Sequence, residues 1–161
     1  MHYTIRTMKT DEYPLLKEFT YHAIFQRDLN NLVSKDILND PRLRVFYENF
    51  GKAGDLCLVA MNNDEIIGAV WTRILAGEIK GFGNIDHTTP EFAISLLPAF
   101  RGLGIGTKLM LEMLNILKRK GYKRASLAVQ KDNYALKMYK AVGFSIVKEL
   151  EEEFVMVRNF M

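Results

Sequence analysis

Only one cysteine, Cys57, occurs in the 161 residues. An internal disulfide framework and a cysteine-built zinc cluster are therefore excluded. No ligand spacing marks another kind of metal site, and no metal is expected. An excess of one charge is missing too: 22 basic residues stand against 19 acidic, a net +3. That is too little to imply a nucleic-acid partner. The one basic cluster, Lys118-Arg119-Lys120 with Lys123 and Arg124, has no aromatic residues interleaved for base stacking. It reads as a solvated helix end, where cations complement the negative pole of the dipole. No apolar run approaches membrane-spanning length, and the opening MHYTIRTMKT lacks the apolar core of a signal peptide. A cytoplasmic protein with no membrane partner is expected. Apolar content of 48% and charged content of 25% are those of an ordinary globular chain. The length suits a single domain over residues 1–161. No internal repeat or low-complexity segment stands out.

The informative stretch is 91–117, EFAISLLPAFRGLGIGTKLMLEMLNIL. Ile94, Leu96 and Leu97 form a short apolar run that Pro98 ends, because proline has no N–H for a ladder. Gly102, Gly104 and Gly106 follow. Without Cβ atoms, their peptide N–H groups can lie open on one side of a turn. From Gly104 onward, Ile105, Leu109, Met113 and Leu117 fall on one helical face, and Lys108, Glu112, Asn115 and Arg119 on the other. The helix adds unpaired first-turn donors and its positive dipole end, so the turn is built to hold an anion, above all a phosphate or pyrophosphate. Two well-known phosphate motifs do not fit. The dinucleotide fingerprint needs G-x-G-x-x-G and an acidic residue about 20 positions on. The Walker pattern needs Gly-Lys-Ser/Thr, and Gly106-Thr107-Lys108 has the wrong order.

What does fit is Arg101-Gly102-Leu103-Gly104-Ile105-Gly106, which resembles the Arg/Gln-x-x-Gly-x-Gly/Ala motif of the GNAT superfamily of acetyl-CoA-dependent N-acetyltransferases. A second segment, VQKDNYALKMYKAVGF, is similar to another GNAT pattern through Asn133, Tyr139, Gly143 and Phe144. The resemblance runs at motif level from Glu91 to Phe144 and elsewhere by element order alone. It implies an α/β fold with a mixed, largely antiparallel seven-stranded sheet and four main helices. It implies acetyl-CoA as co-substrate: backbone amides from Arg101 through Thr107 (Gly102, Leu103, Gly104, Ile105 and Gly106 between them) would hold the pyrophosphate. The strand at Leu96 and Leu97 would pair with the pantetheine arm. Asn133 would hold that arm or cap its helix, with Asp132 competing as the cap. The implied activity is transfer of an acetyl group to a primary amine of a small molecule or peptide, by direct attack in a ternary complex. A coenzyme A-binding sensor or scaffold without catalysis is the alternative, and a homodimer stays open.

The remaining chain reads as follows. Residues 2–8 alternate as a first strand. Asp11 can cap a helix that carries Pro14 in its first turn and buries Leu15, Leu16, Phe19 and Ala23. Asp40-Pro41 opens a second helix with Leu43, Phe46, Tyr47 and Phe50 at helical spacing and Gly51 as its stop. That stripe reads as a core face rather than a pocket lining. Residues 56–61 are a buried strand in which Cys57 packs, and Asn62-Asn63-Asp64 turns into a strand over 65–75. The segment 76–90, AGEIKGFGNIDHTTP, has no period, and a loop of this length inside a domain is often functional. Residues 125–129, 144–148 and 154–158 are the closing strands, with the acidic run Glu149, Glu151, Glu152 and Glu153 in the last connection.

Acetyl transfer from a thioester needs a neutral amine and hence a base, donors for the developing oxyanion, and a proton for the departing thiolate. Tyr139 is the candidate acid, because the family motif carries a tyrosine there and a phenol can protonate sulfur. Glu91, at the head of the central strand, is the first candidate base. His87, with an ordinary pKa better suited to the task, is second, and Asp86 is third. A backbone N–H near Leu97 is the expected oxyanion donor.

Overall fold

The structure, a computed structural model, describes residues 2–161. The strands are β1 (Thr4–Thr7), β2 (Leu56–Asn62), β3 (Glu65–Arg73), β4 (Glu91–Leu96), β5 (Arg124–Gln130), β6 (Ser145–Glu149) and β7 (Glu153–Asn159). The helices are α1 (Leu16–Ala23), α2 (Pro41–Tyr47), α3 (Ile105–Arg119) and α4 (Ala135–Ala141). The strands form one seven-stranded sheet in the order β1-β2-β3-β4-β5-β7-β6. Every neighbouring pair is antiparallel except β4 with β5. This is the mixed, largely antiparallel α/β architecture expected.

Strand alternation explains the layering. Leu58, Ala60, Val70 and Phe92 point to one face, where they meet Leu109, Met110, Met113 and Leu117 of α3 together with Tyr139 and Phe144. Cys57, Val59, Ala69 and Trp71 point to the other, where they meet Leu16 and Phe19 of α1. Burial pushes the Cys57 thiol up, so it stays protonated and packs against Met8. Ser95 Oγ donates to the Phe19 carbonyl at 2.6 Å and fastens α1 across the central strand. Among the described residues no helix is long and apolar enough to cross a membrane.

Two helix boundaries differ from expectation, each for a local reason. The chain from Thr10 to Leu15, with Pro14 inside it, forms a 3₁₀ turn rather than the first turn of the α-helix. Glu12, not Asp11, accepts the Lys9 N–H at 2.8 Å. The α-helical phase is thereby reset: Leu16, Phe19, Thr20 and Tyr21 are buried, while Leu15 and Ala23 are exposed. Helix α2 opens as read, with Pro41 at its start and Asp40 Oδ1 accepting Arg42 N–H at 2.9 Å. It ends at Tyr47, before Gly51, and its apolar stripe divides. Tyr47 and Phe50 pack on the core, while Leu43 and Phe46 line a cavity.

Candidate active site

Strands β4 and β5 share a single register pair, Glu91 with Ser126, and then part. The split is decided by what each needs to bond. On its other edge β4 runs in full register with β3 from Glu91–Arg73 to Leu96–Gly68, and Leu97 N–H donates to the Ile67 carbonyl at 2.8 Å. In such a ladder alternate residues face alternate neighbours. The backbone groups of Ile94 and Leu96 therefore face the split. The Leu97 N–H does not, being bonded to Ile67, so of the amides near Leu97 it is not free to serve as an oxyanion donor.

At the far end of β4 the chain turns through Gly102 (φ 76°) and Gly104 (φ 85°), left-handed conformations that glycine adopts without strain. A Cβ at either would meet open space, so the turn faces outward rather than packing on the protein. Leu103 between them is exposed, while Ile105 is buried and anchors α3. The first α3 turn, with Ile105, Gly106 and half-buried Thr107, leaves its N–H groups without intrahelical acceptors. Arg101 ties the end of β4 to α1, with Nε donating to the Leu96 carbonyl at 3.2 Å and Nη2 to the His22 carbonyl at 3.1 Å.

A cavity of about 340 Å³ passes through the sheet at the split. On the α1/α2 side it is bounded by Thr20, Ile24, Leu43, Phe46 and Phe82, and on the α4 side by Asn133 and Tyr139. Glu91 belongs to the α1/α2 side, on the same β4 face as Ala93 and Ser95. Its side chain is 2% exposed, with Oε2 accepting the Gly83 N–H at 2.9 Å. Oε1 has no hydrogen-bond partner among the described residues. Burial, with Glu153 nearby, outweighs the Gly83 bond and pushes the carboxyl group up to about 7. Tyr139 is 9% exposed, and its ring packs edge-to-face on Phe144 with centroids 6.2 Å apart. Burial pushes its phenol up, so it keeps its proton.

Comparison with known proteins decides what this arrangement belongs to. A family model described as "Acetyltransferase (GNAT) family" matches residues 20–144. The chain is similar to "Probable N-acetyltransferase san" of Drosophila melanogaster, 32% identical over 142 residues that cover 85% of this chain and 71% of that protein. It is also similar to "N-alpha-acetyltransferase 50" of Danio rerio, 30% identical over 141 residues, 83% of this chain and 75% of that protein. The chain belongs to the GNAT acetyltransferase family. Its fold is shared with yncA of Salmonella typhimurium, solved with its cofactor acetyl-CoA, at a TM-score of 0.71 and 19% identity over 100% of this chain and 95% of that one.

The residues singled out in this GNAT chain are not all in one place. Glu91, Tyr139 and Asn133 line one cavity. Asn133 Oδ1 accepts Ala135 N–H at 2.9 Å and thus caps α4. Asp132 is engaged elsewhere, in a pair with Arg27 at 2.9 Å. His87 is exposed and lies with Asp86, Lys123 and Arg124 around a separate depression. Asp86 is a structural tie: it accepts from Thr89 Oγ1 and from Arg124 Nη2, both at 2.7 Å. Those bonds hold its carboxyl group well below the usual carboxylate range, a poor state for a base. Glu153 of the acidic run borders the cavity, and Gly81, Phe82 and Gly83, which no motif in the sequence marks individually, approach Glu91 or its cavity. The glycine spacing at 81 and 83 was the available signal, without an indication of which residue it serves.

Proposed function

We propose that the chain acetylates a primary amine of a small molecule or peptide, with acetyl-CoA as co-substrate and direct attack in a ternary complex. The observation that carries the reading is the cavity lined both by the buried Glu91 carboxyl group, one oxygen of which is unpaired among the described residues, and by Tyr139.

The residues fit the coenzyme. The outward turn at Gly102 and Gly104, with the first-turn amides of Ile105, Gly106 and Thr107, suits a pyrophosphate. The backbone groups of Ile94 and Leu96 suit an extended amide arm laid in the split. Acetyl-CoA supplies the acetyl group as a thioester. Glu91 takes the proton of the incoming amine, directly or through a water, and a carboxyl group poised near 7 can accept it and return it to solvent each turnover. Tyr139 keeps its proton and holds it on the α4 side of the cavity for the departing sulfur. The N–H of Ile94, facing the split, replaces that of Leu97 as donor for the developing oxyanion.

The test is thermal. Acetyl-CoA should raise the melting temperature, by an amount that grows with its concentration above Kd. Gly104→Asp should abolish that shift, because a side chain with φ near 85° is strained and its carboxylate repels phosphate. A full shift in the variant would place the anion site elsewhere. Thiol release across an amine library then separates an enzyme from a coenzyme-binding module.

A further inference from the structure

The acceptor side of the cavity is shaped by one tripeptide, Gly81-Phe82-Gly83. Gly81 passes so close to Glu91 that a Cβ there would collide with Oε1. Gly83 gives its N–H to Oε2 at 2.9 Å, and its own Cβ would run into the backbone of Leu127 and Ala128 on β5. Only glycine passes at Gly83, and a side chain at Gly81 would displace the Glu91 carboxyl group. The segment is thus wedged between the Glu91 carboxyl group and β5, and it leaves Oε1 without a partner.

Between the two glycines, the Phe82 ring lies nearly parallel to that of Phe46, 17° between planes and centroids 6.0 Å apart. Phe46 is held in turn, because the Trp71 indole N–H donates to its carbonyl at 2.8 Å. Phe82 is 39% exposed, so its ring is accessible on the cavity wall. Ile24 and Leu43 extend the apolar wall. Two other carboxylates border the cavity. Asp40 is occupied by Arg42 through contacts of 3.2 and 2.7 Å, which leaves Glu153.

We propose that Gly81-Phe82-Gly83 selects the acceptor: a primary amine carried on a compact apolar body, its nitrogen directed at the Glu91 carboxyl group, whose Oε1 is buried and unpaired among the described residues, and its carbon skeleton against Phe82 and Phe46. The inference rests on the acetyltransferase reading and adds the substrate class. The same chemistry is offered by a free amine and by the first residue of a peptide.

Trp71, the only tryptophan, borders the cavity, so its fluorescence reports occupancy without turnover. The full chain with coenzyme A is titrated with 2-phenylethylamine, methylamine and spermidine, and with tetrapeptides beginning in Phe or Gly. Thiol release from acetyl-CoA is followed in parallel. 2-Phenylethylamine should bind about tenfold or more tighter than methylamine and tighter than spermidine, and the Phe-first peptide tighter than the Gly-first one. Whichever apolar ligand binds more tightly identifies the source. Phe82→Ala should weaken the apolar ligand by about tenfold while methylamine changes less than about twofold, and Phe82→Leu should restore most of the loss. Equal binding of apolar and small amines, tighter binding of spermidine through Glu153, or an unaffected Phe82→Ala variant would each overturn the proposal. The expected binding order with no thiol release from any amine would support the pocket assignment and overturn the acetyltransferase reading instead.

Discussion

Glu91→Gln is expected to lower turnover by about 10²- to 10⁴-fold near neutral pH, while acetyl-CoA still raises the melting temperature. The amide keeps the size of the side chain and an oxygen for the Gly83 N–H, but it cannot take a proton. With the carboxyl group pushed up to about 7, kcat/KM of the parent should climb with pH through that region as Glu91 ionises. The variant should lack this limb and regain activity only at higher pH, where free amine supplies itself. A uniform loss at every pH would mean that Glu91 positions the amine rather than deprotonating it. No loss, together with a large loss in His87→Ala, would hand the role to the exposed histidine.

The same substitution should stabilise the fold, and the sign follows from proton linkage. Glu91 moves from an ordinary 4.5 up to about 7 on folding. Between those values the folded chain binds the proton more tightly than the unfolded one, so stability falls as pH rises through the window. Above about 7 the folded protein carries the full cost of a buried carboxylate, on the order of 3 kcal/mol. Glutamine carries no such cost. The melting temperature of Glu91→Gln relative to the parent should therefore be flat below pH ~4.5, rise through the window, and level off several degrees higher at pH 8. An identical difference at pH 5 and pH 8 would show that Glu91 is not ionising in a buried setting. A gain in stability alongside a loss in rate is what a functional, rather than structural, carboxylate produces.

How much of this was legible depends on how local each determinant is. The β4–turn–α3 unit reads directly from sequence, because an apolar run stops at Pro98, glycines sit where φ is positive, and a helical period begins at Ile105. The cap at Asp40-Pro41 is equally local. The burial of Glu91 is not. An acid at a strand start reads as solvated, and it is enclosed only because Gly81 and Gly83 fold back over it and Glu153 arrives from β7. Which backbone amide faces the split depends on the β3–β4 register, a pairing between strands that no residue type announces, and the Leu97 N–H is turned to Ile67 by it. His87 shows the same limit: its side chain suits a base, but the Asp86–Arg124 tie places that stretch of loop beside the separate depression.

Tyr139→Phe should lower kcat by about 10- to 1,000-fold with little change in coenzyme binding or stability. Its ring is fixed by the edge-to-face contact with Phe144 and by the apolar cluster beneath α3, contacts that phenylalanine keeps. Because the ring and its contacts are kept, removing the oxygen should cost little, less than about 1 kcal/mol. A tyrosine kept only for packing would therefore show no phenotype at all. If instead the hydroxyl serves the leaving sulfur, the loss falls on kcat, and it should shrink with an acetyl thioester of a more acidic thiol, which needs less help from a proton donor. Burial holds the phenol in its protonated form through the working range, so the parent should show no second pH limb from Tyr139 below about pH 10. Unchanged turnover with every donor would reduce Tyr139 to a packing residue. An equal loss with both kinds of thioester would make it an orienting contact rather than the acid.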